Sequence, residues 1–515
     1  MSFTSILKIR TLHRMNIEQT QPEEKSVARV IARNTAFMLG GQIIMKILAF
    51  IFNIYMVRTL GDIQYGRYTA ALAYIGIFAQ FTDLGMSVYA VREMARIKEN
   101  IAWMVPNIIA LRVVLSSIAM ILIPLSAWLV GHNSYMVLGI ALASCGLLLF
   151  AFQGPLDAVM IAEERLDFAS AFRLLNQLVF IAVGTILLLM GGGYIGLLIA
   201  WLAGILAMGL ASHYVVRKIL RIKFDRYNIK RWWSILHKSL PFAVTGLTAE
   251  LVRRFDIVFM TFVLHEAAIG WYGVPINLIL MMLIMAQSMG MSIYPTLVKE
   301  YDSGRGSIQK TVQNSIRYLL IVSLPMAVGG SILADQIIII LYDVEFVNSI
   351  VLMQILVWAM PFMFIAEILG RAISTMHLET LAAKLSFVVM TVSIIANIVL
   401  ILKFGVIGAA LTMVAMRFFR VFTAWVILGP KMVFENNIIP LLRVIMAGVA
   451  MGVVVWWMKG MAFIYQFGDI IGLLNLVAIG AIAYGIAIVL VGAVTRSELI
   501  YLYEAIQRRV TDYIS

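Results

Sequence analysis

The chain has 515 residues, of which 62% are hydrophobic and only 13% charged, with a mean hydropathy of +0.95 and a formal charge of +13. A soluble domain carries roughly twice that charged fraction, so the composition describes a polytopic membrane protein. The net positive charge needs no nucleic-acid partner, because it follows from where the Lys and Arg fall along the chain.

Residues 1–34 hold Lys8, Arg10, Arg14, Lys25, Arg29 and Arg33 without an apolar core, so they read as a basic cytoplasmic segment and not as a cleavable signal peptide. Apolar runs follow that are long enough to cross a bilayer, which takes roughly 20 residues each. Segments that must satisfy their own backbone in lipid are expected as helices. The pattern predicts fourteen spans: six over residues 35–216, six over 240–428 and a final pair over 438–494. Between the two sixes lies the basic stretch 217–239, with eight Lys and Arg beside Trp232 and Trp233, expected as an amphipathic linker along an anionic leaflet. Residues 495–515 place Leu499, Leu502, Tyr503, Ile506 and Val510 at helical spacing, which suggests a C-terminal surface helix. With the N-terminus inside, the outward loops hold only Arg58, Arg67, Lys403 and Lys459 among the basic residues outside the spans. Both termini are therefore expected in the cytoplasm, in a plasma-membrane protein.

The two sixes are expected to be copies. Residues 60–68, "LGDIQYGRY", align without a gap on residues 264–272, "LHEAAIGWY", so that Asp62 meets Glu266, Gly66 meets Gly270 and Tyr68 meets Tyr272. Further along, Arg112 falls opposite Arg317 after a one-residue slip, and Gly193 and Gly196 fall opposite Gly405 and Gly408. Both copies start from the same side, which makes them parallel repeats, an arrangement typical of transporters with a substrate site between two lobes. At the repeated turn, Gly66 and Gly270 are expected to bend the backbone, the acids to cap the next helix and the tyrosines to anchor at the interface.

Nothing in the chain spells out an enzyme. The single cysteine, Cys145, and six scattered histidines offer no metal-ligand spacing, and there is no Walker loop, GxSxG or HExxH. What the spans do contain is charge. An ionised side chain at mid-bilayer costs roughly 2.5–3.5 kcal/mol on insertion scales and normally faces a cavity or a partner. Span seven reads "AELVRRFDIVF", with Glu250, Arg253 and Asp256 three apart and Arg254 one turn after Glu250. Lys46 occupies the repeat position of Glu250, and Arg417 and Arg420 lie on span twelve. These suggest an anion site made by Arg254, Arg253, Lys46 and Arg417, with Glu250, Asp256 and Asp83 as supporting charges. A self-neutralised ladder along span seven is the competing account of the same residues. Arg173 and Arg371 are expected to snorkel to water, and Arg112, with its repeat partner, to be architectural.

The stretches "VRTLGDIQYGRY", "FTDLGMSVYAVREMAR", "LVRRFDIVFM" and "AIGWYGVPINL", in that order, resemble the polysaccharide or O-antigen flippases, members of a superfamily that includes multidrug exporters and lipid II flippases. The resemblance implies about fourteen helices in two lobes around a central cationic cavity. It implies a polyprenyl-pyrophosphate-linked oligosaccharide as cargo, no cofactor, and membrane lipids and glycan-assembly proteins as partners. It leaves open Na+ or H+ as a coupling ion. A cation-coupled drug exporter of the same fold is the alternative, weakened by the basic lean of the deep charges; a membrane glycan polymerase or transferase is a more distant one. In "R-x-D" on span seven, the resemblance lands on Arg254 and Asp256, whereas Lys46 and Arg417 rest on depth alone.

Overall fold

The computed structural model describes residues 45–303, 308–430, 432 and 439–494, and these residues contain helices and no strand. The basic N-terminal segment and the expected C-terminal surface helix lie outside them. The chain divides into two compact units, Met1–Met56 and Val57–Ser515. In the first unit residues 45–56 are helical, and Lys46 lies there with its side chain exposed.

The second unit opens with α1, residues 57–83, followed by α2 (Met86–Arg96), α3 (Asn100–Leu129), α4 (Ser134–Ala162), α5 (Leu166–Leu189) and α6 (Gly193–Tyr214). Next come α7 (Trp232–Val263), α8 (Glu266–Asp302), α9 (Ile308–Ile332), α10 (Ala334–Tyr342), α11 (Ser349–Leu356), α12 (Ala359–Thr375), α13 (Glu379–Phe404) and α14 (Val406–Leu428). Helices α15 (Ile439–Lys459) and α16 (Asp469–Leu490) close the described chain. Twelve helices among the described residues are long and apolar enough to span a membrane; α7 is 32 residues long but carries the four charges of span seven. This is an all-helical, multi-pass membrane protein.

Packing follows from which side chains are small. Among the first helices, α3, α4, α5 and α6 pack on one another, around a core that includes Met94, Met104, Ile108, Val159 and Met160. The basic linker continues α6 by one turn, Val215–Ile219, and then has no regular structure from Arg221 to Asn228, with Arg221 at φ of 54°. It is strapped to α3: Asp225 donates to the Ala102 carbonyl at 2.9 Å and the Asn228 amide to Asn107 Oδ1 at 2.8 Å. Ile222 and Phe224 pack against the core while most of their neighbours stay exposed.

The final pair docks on α9. A Cβ on Gly448 would lie 3.0 Å from Leu324, and one on Gly452 would lie 2.8 Å from Val328, so these glycines are filled by side chains of α9 and leave no groove there. Of the two roles that small residues can have in a membrane helix, close approach is the one observed.

Candidate functional site

The repeated nonapeptide is where the structure departs furthest from expectation. The bend in the first copy is at Gly61, with φ of 67°, and not at Gly66. Asp62 takes up the cap there, its Oδ1 accepting from the Ile63 amide at 2.7 Å. In the second copy His265 caps α8, its Nδ1 accepting from the Ala268 amide at 3.2 Å. Gly66 and Gly270 lie within helices and against each other. A Cβ on Gly66 would stand 2.8 Å from the Glu266 carbonyl carbon and 3.1 Å from the Gly270 nitrogen; one on Gly270 would stand 3.1 Å from the Asp62 carbonyl carbon and 3.3 Å from the Gly66 nitrogen. The tyrosines are not interface anchors: Tyr272 is fully buried and Tyr68 nearly so.

Around this glycine contact the two copies grip each other reciprocally. Arg67 Nε donates to Glu266 Oε2 at 2.6 Å, and Trp271 Nε1 donates to Asp62 Oδ2 at 2.9 Å. In the repeat alignment Asp62 corresponds to Glu266 and Arg67 to Trp271, so the two bonds join corresponding positions of the two segments. Further contacts close the same end. Arg58 donates to the carbonyls of Leu341 and Ile340 at 2.9 and 2.6 Å, and Asn277 bonds the Tyr65 hydroxyl. His132, from the α3–α4 loop, bonds the Tyr74 hydroxyl at 3.1 Å and stacks on Phe262. Burial holds its imidazole below the usual histidine value, with the nearby Glu266 carboxylate pulling the other way.

From this closed end, α1 continues along α7. Gly76 is the close approach: a Cβ there would lie 2.6 Å from Arg254 Cδ and 2.7 Å from Glu250 Oε1. Glu250, buried on α7, accepts from both arginines. Arg254 Nε reaches Oε1 at 2.5 Å, and Arg253 Nε reaches Oε2 at 2.9 Å with a second bond from Arg253 Nη2. Arg254 also leans on the Leu72 carbonyl of α1 at 3.4 Å. A guanidinium has five N–H donors. Arg253 spends two of them on Glu250 and its side chain is 62% exposed, so the trio carries net positive charge with donors to spare.

The other expected site residues are placed elsewhere. Asp256 does not hold an arginine: its Oδ2 accepts from the Tyr272 hydroxyl at 2.5 Å and its Oδ1 from the Ile257 amide at 2.8 Å. Arg417 on α14 is close enough to feel that carboxylate, without an ion pair to it. Asp83 supports Arg112 and not span seven. Arg112 Nη1 reaches Asp83 Oδ1 at 2.9 Å and Ser87 Oγ at 3.0 Å, a buried cluster with Gly154 of α4 against the guanidinium. Arg371 pairs with Glu367 one turn back at 2.8 Å. Lys46 belongs to the first unit and is described there. Sequence reasoning missed the reciprocal grip, although the gapless repeat held a signal: a segment written twice can meet its own copy.

A model of the polysaccharide biosynthesis protein family matches residues 31–300. The chain belongs to that family. Among curated members it is 22% identical to a probable low-salt glycan biosynthesis flippase of Haloferax volcanii, over 74% of this chain and 79% of the relative. It is 20% identical to a putative O-antigen transporter of Shigella flexneri, over 74% and 94%. In fold, this family member is similar to the lipid II flippase MurJ in an inward closed conformation, with a TM-score of 0.72 at 14% identity, covering 88% of this chain and 97% of that one. A multidrug-resistance MATE family transporter in an inward-facing conformation gives 0.52 at 15% identity, over 74% and 93%.

Proposed function

We propose that this protein is a flippase that moves a polyprenyl-pyrophosphate-linked oligosaccharide from the cytoplasmic to the outer leaflet of the plasma membrane by alternating access. Family membership and the two named relatives support the class of cargo. The observation that carries the reading is the charge on α7: after Glu250 is satisfied, Arg253 and Arg254 still have N–H donors to offer, Arg253 from an exposed side chain. A pyrophosphate losing its water needs such charge-assisted donors, and a guanidinium can give two parallel bonds to it. Arg417 would extend the anion site. A drug exporter of organic cations would be served by the opposite sign of charge.

In this reading both termini are cytoplasmic, and the closed end built from residues 58–67 and 265–277 faces outward. The grip between the repeats then keeps the outer side shut while cargo enters from the cytoplasm, and its release lets the head group out. No chemical bond is made or broken. With the inside negative, an outward-moving anion gains roughly 2.3 kcal/mol per charge per 100 mV if it crosses the whole field. The test is reconstitution into vesicles with a lipid-linked oligosaccharide and a probe that sees glycan only on the far leaflet. Protein-dependent exposure of glycan that slows when the potential is collapsed is expected. Export of a cationic dye, with no movement of the glycan lipid, would put the drug-exporter reading in its place.

A further inference from the structure

A cavity lies on the other side of α7 from Arg254. It has a volume of about 440 Å³ and is walled by α7, α12, α13 and α14. This is in the size range of small-molecule sites, which run from roughly 300 to 1,000 Å³. Its walls are mostly apolar, with Val244, Val252, Phe387 and Ile427 among them. One cation faces into it. Arg420 is exposed there and makes no side-chain hydrogen bond or ion pair among the described residues, including none to Glu379 at the rim.

The hydroxyls in the wall have a defined chemistry. Thr245 donates to the Phe242 carbonyl at 2.8 Å, Thr248 to that of Val244 at 2.7 Å and Thr423 to that of Arg420 at 2.9 Å. Each spends its hydrogen on its own helix and presents only lone pairs inward. The cavity therefore offers guanidinium donors for an anion, acceptors for neighbouring O–H groups and apolar walls for a chain. Free phosphate would satisfy the first of these alone.

We infer that this cavity binds the phosphate head of a lipid, with the phosphate on Arg420, adjoining hydroxyls on Thr245, Thr248 and Thr423, and the first part of the apolar chain against Phe387 and its neighbours. The site is distinct from the Glu250–Arg254 pair, since those two side chains stand against Gly76 of α1 while Thr245, Thr248 and Val252 line the cavity beside α12 to α14. It does not depend on the flippase reading: a protein that moved nothing could still hold a lipid phosphate here.

Gly370 gives a clean handle. It lines the cavity, and a Cβ built on it meets nothing within 4 Å, so Gly370→Leu can be introduced without a clash at Cβ, projects apolar bulk into the space and improves helix propensity. The experiment is native mass spectrometry and titration of the purified full chain with farnesyl phosphate, farnesol, inorganic phosphate and phosphatidylglycerol. We expect saturable binding of farnesyl phosphate that weakens about tenfold or more in Arg420→Gln, as loss of charge-assisted bonds requires, and disappears in Gly370→Leu. Farnesol should bind about tenfold weaker or less, for the same reason, and inorganic phosphate should not compete. Displacement by phosphatidylglycerol would identify bilayer phospholipid as the source, and failure to displace would identify a prenyl phosphate; either supports the site. Wild-type binding in both variants would overturn it, as would equal competition by inorganic phosphate. Loss of the binding in Arg254→Gln, with Arg420→Gln intact, would also overturn it by placing the lipid at the trio.

Discussion

The reciprocal grip predicts that one methyl group at Gly66 will open one end of the bundle. In Gly66→Ala the added Cβ would sit 2.8 Å from the Glu266 carbonyl carbon and closer still to its oxygen, whereas ordinary contact begins at 3.4 Å. The obstacle is backbone, so no side chain can swing away, and the two helices must part by roughly 1 Å. Bonds now at 2.6 and 2.9 Å between Arg67 and Glu266 and between Trp271 and Asp62 would then approach or exceed about 3.6 Å, where a side-chain hydrogen bond no longer exists. Bonds to charged groups are worth about 1.5–3 kcal/mol each. Allowing for side-chain relaxation, a loss of roughly 2–4 kcal/mol shifts the balance between closed and open ends by about thirty- to a thousandfold. Spin labels at Ile63 and Val344, both exposed at this end, would report it as a longer distance population, in a background with Cys145 replaced by Ser. Alanine is the better helix former, so folding is expected to survive, which monodisperse elution checks. An unchanged distance distribution in well-folded Gly66→Ala would refute the claim that this contact holds the end shut.

The remaining predictions concern the charges and the helix pair. Arg254→Lys keeps the charge but loses the fork, so a large loss of transport with normal protein level would mark direct phosphate contact. If Arg254→Ala is instead degraded, and Arg254→Ala/Glu250→Ala recovers both level and transport, the trio is a self-neutralised ladder and the binding role falls. His132 is held below the usual histidine value, so its neutral form stabilises the closed end; that contribution is complete above about pH 6.5 and is lost as the pH falls through and below it. The same distance measurement should show opening in acid, and His132→Gln should abolish the pH dependence; an identical acid response in that variant would assign the effect to another group. Gly452→Leu must push Val328 away from α15, at a cost of roughly 1–3 kcal/mol. It should therefore lower the melting temperature while leaving transport per folded molecule intact; the reverse pattern would assign α15 a role in handling cargo.

Several of these features were legible in the sequence, and the physical reasons differ. Helical spans follow from hydropathy alone, because lipid leaves the backbone no other way to pair. The trio on α7 was legible because Glu250, Arg253 and Arg254 lie three and four residues apart on one helix, and that spacing fixes their contacts whatever surrounds them. Asp256 sits on the same helix, but its nearest partner is Tyr272, sixteen residues on and across a loop, and no local spacing can report a tertiary choice. The same holds for Asp83, which α3 claims through Arg112. Arg371 was expected to reach water, and Glu367 one turn back on the same helix gives it a local partner as well.

The repeated turn is the more instructive case. Read one copy at a time, each glycine is a bend and each acid a cap, since a single segment shows only local chemistry. Read as a pair, a polar and an acidic position that exchange partners under the repeat, Asp62 with Trp271 and Glu266 with Arg67, describe a contact between the two segments. Small residues between the bonds are then required, because there one backbone meets the other and nothing larger than Gly66 and Gly270 fits. A duplicated segment in a transporter is thus a candidate for self-contact, and the strength of that contact sets how readily one end of the molecule opens.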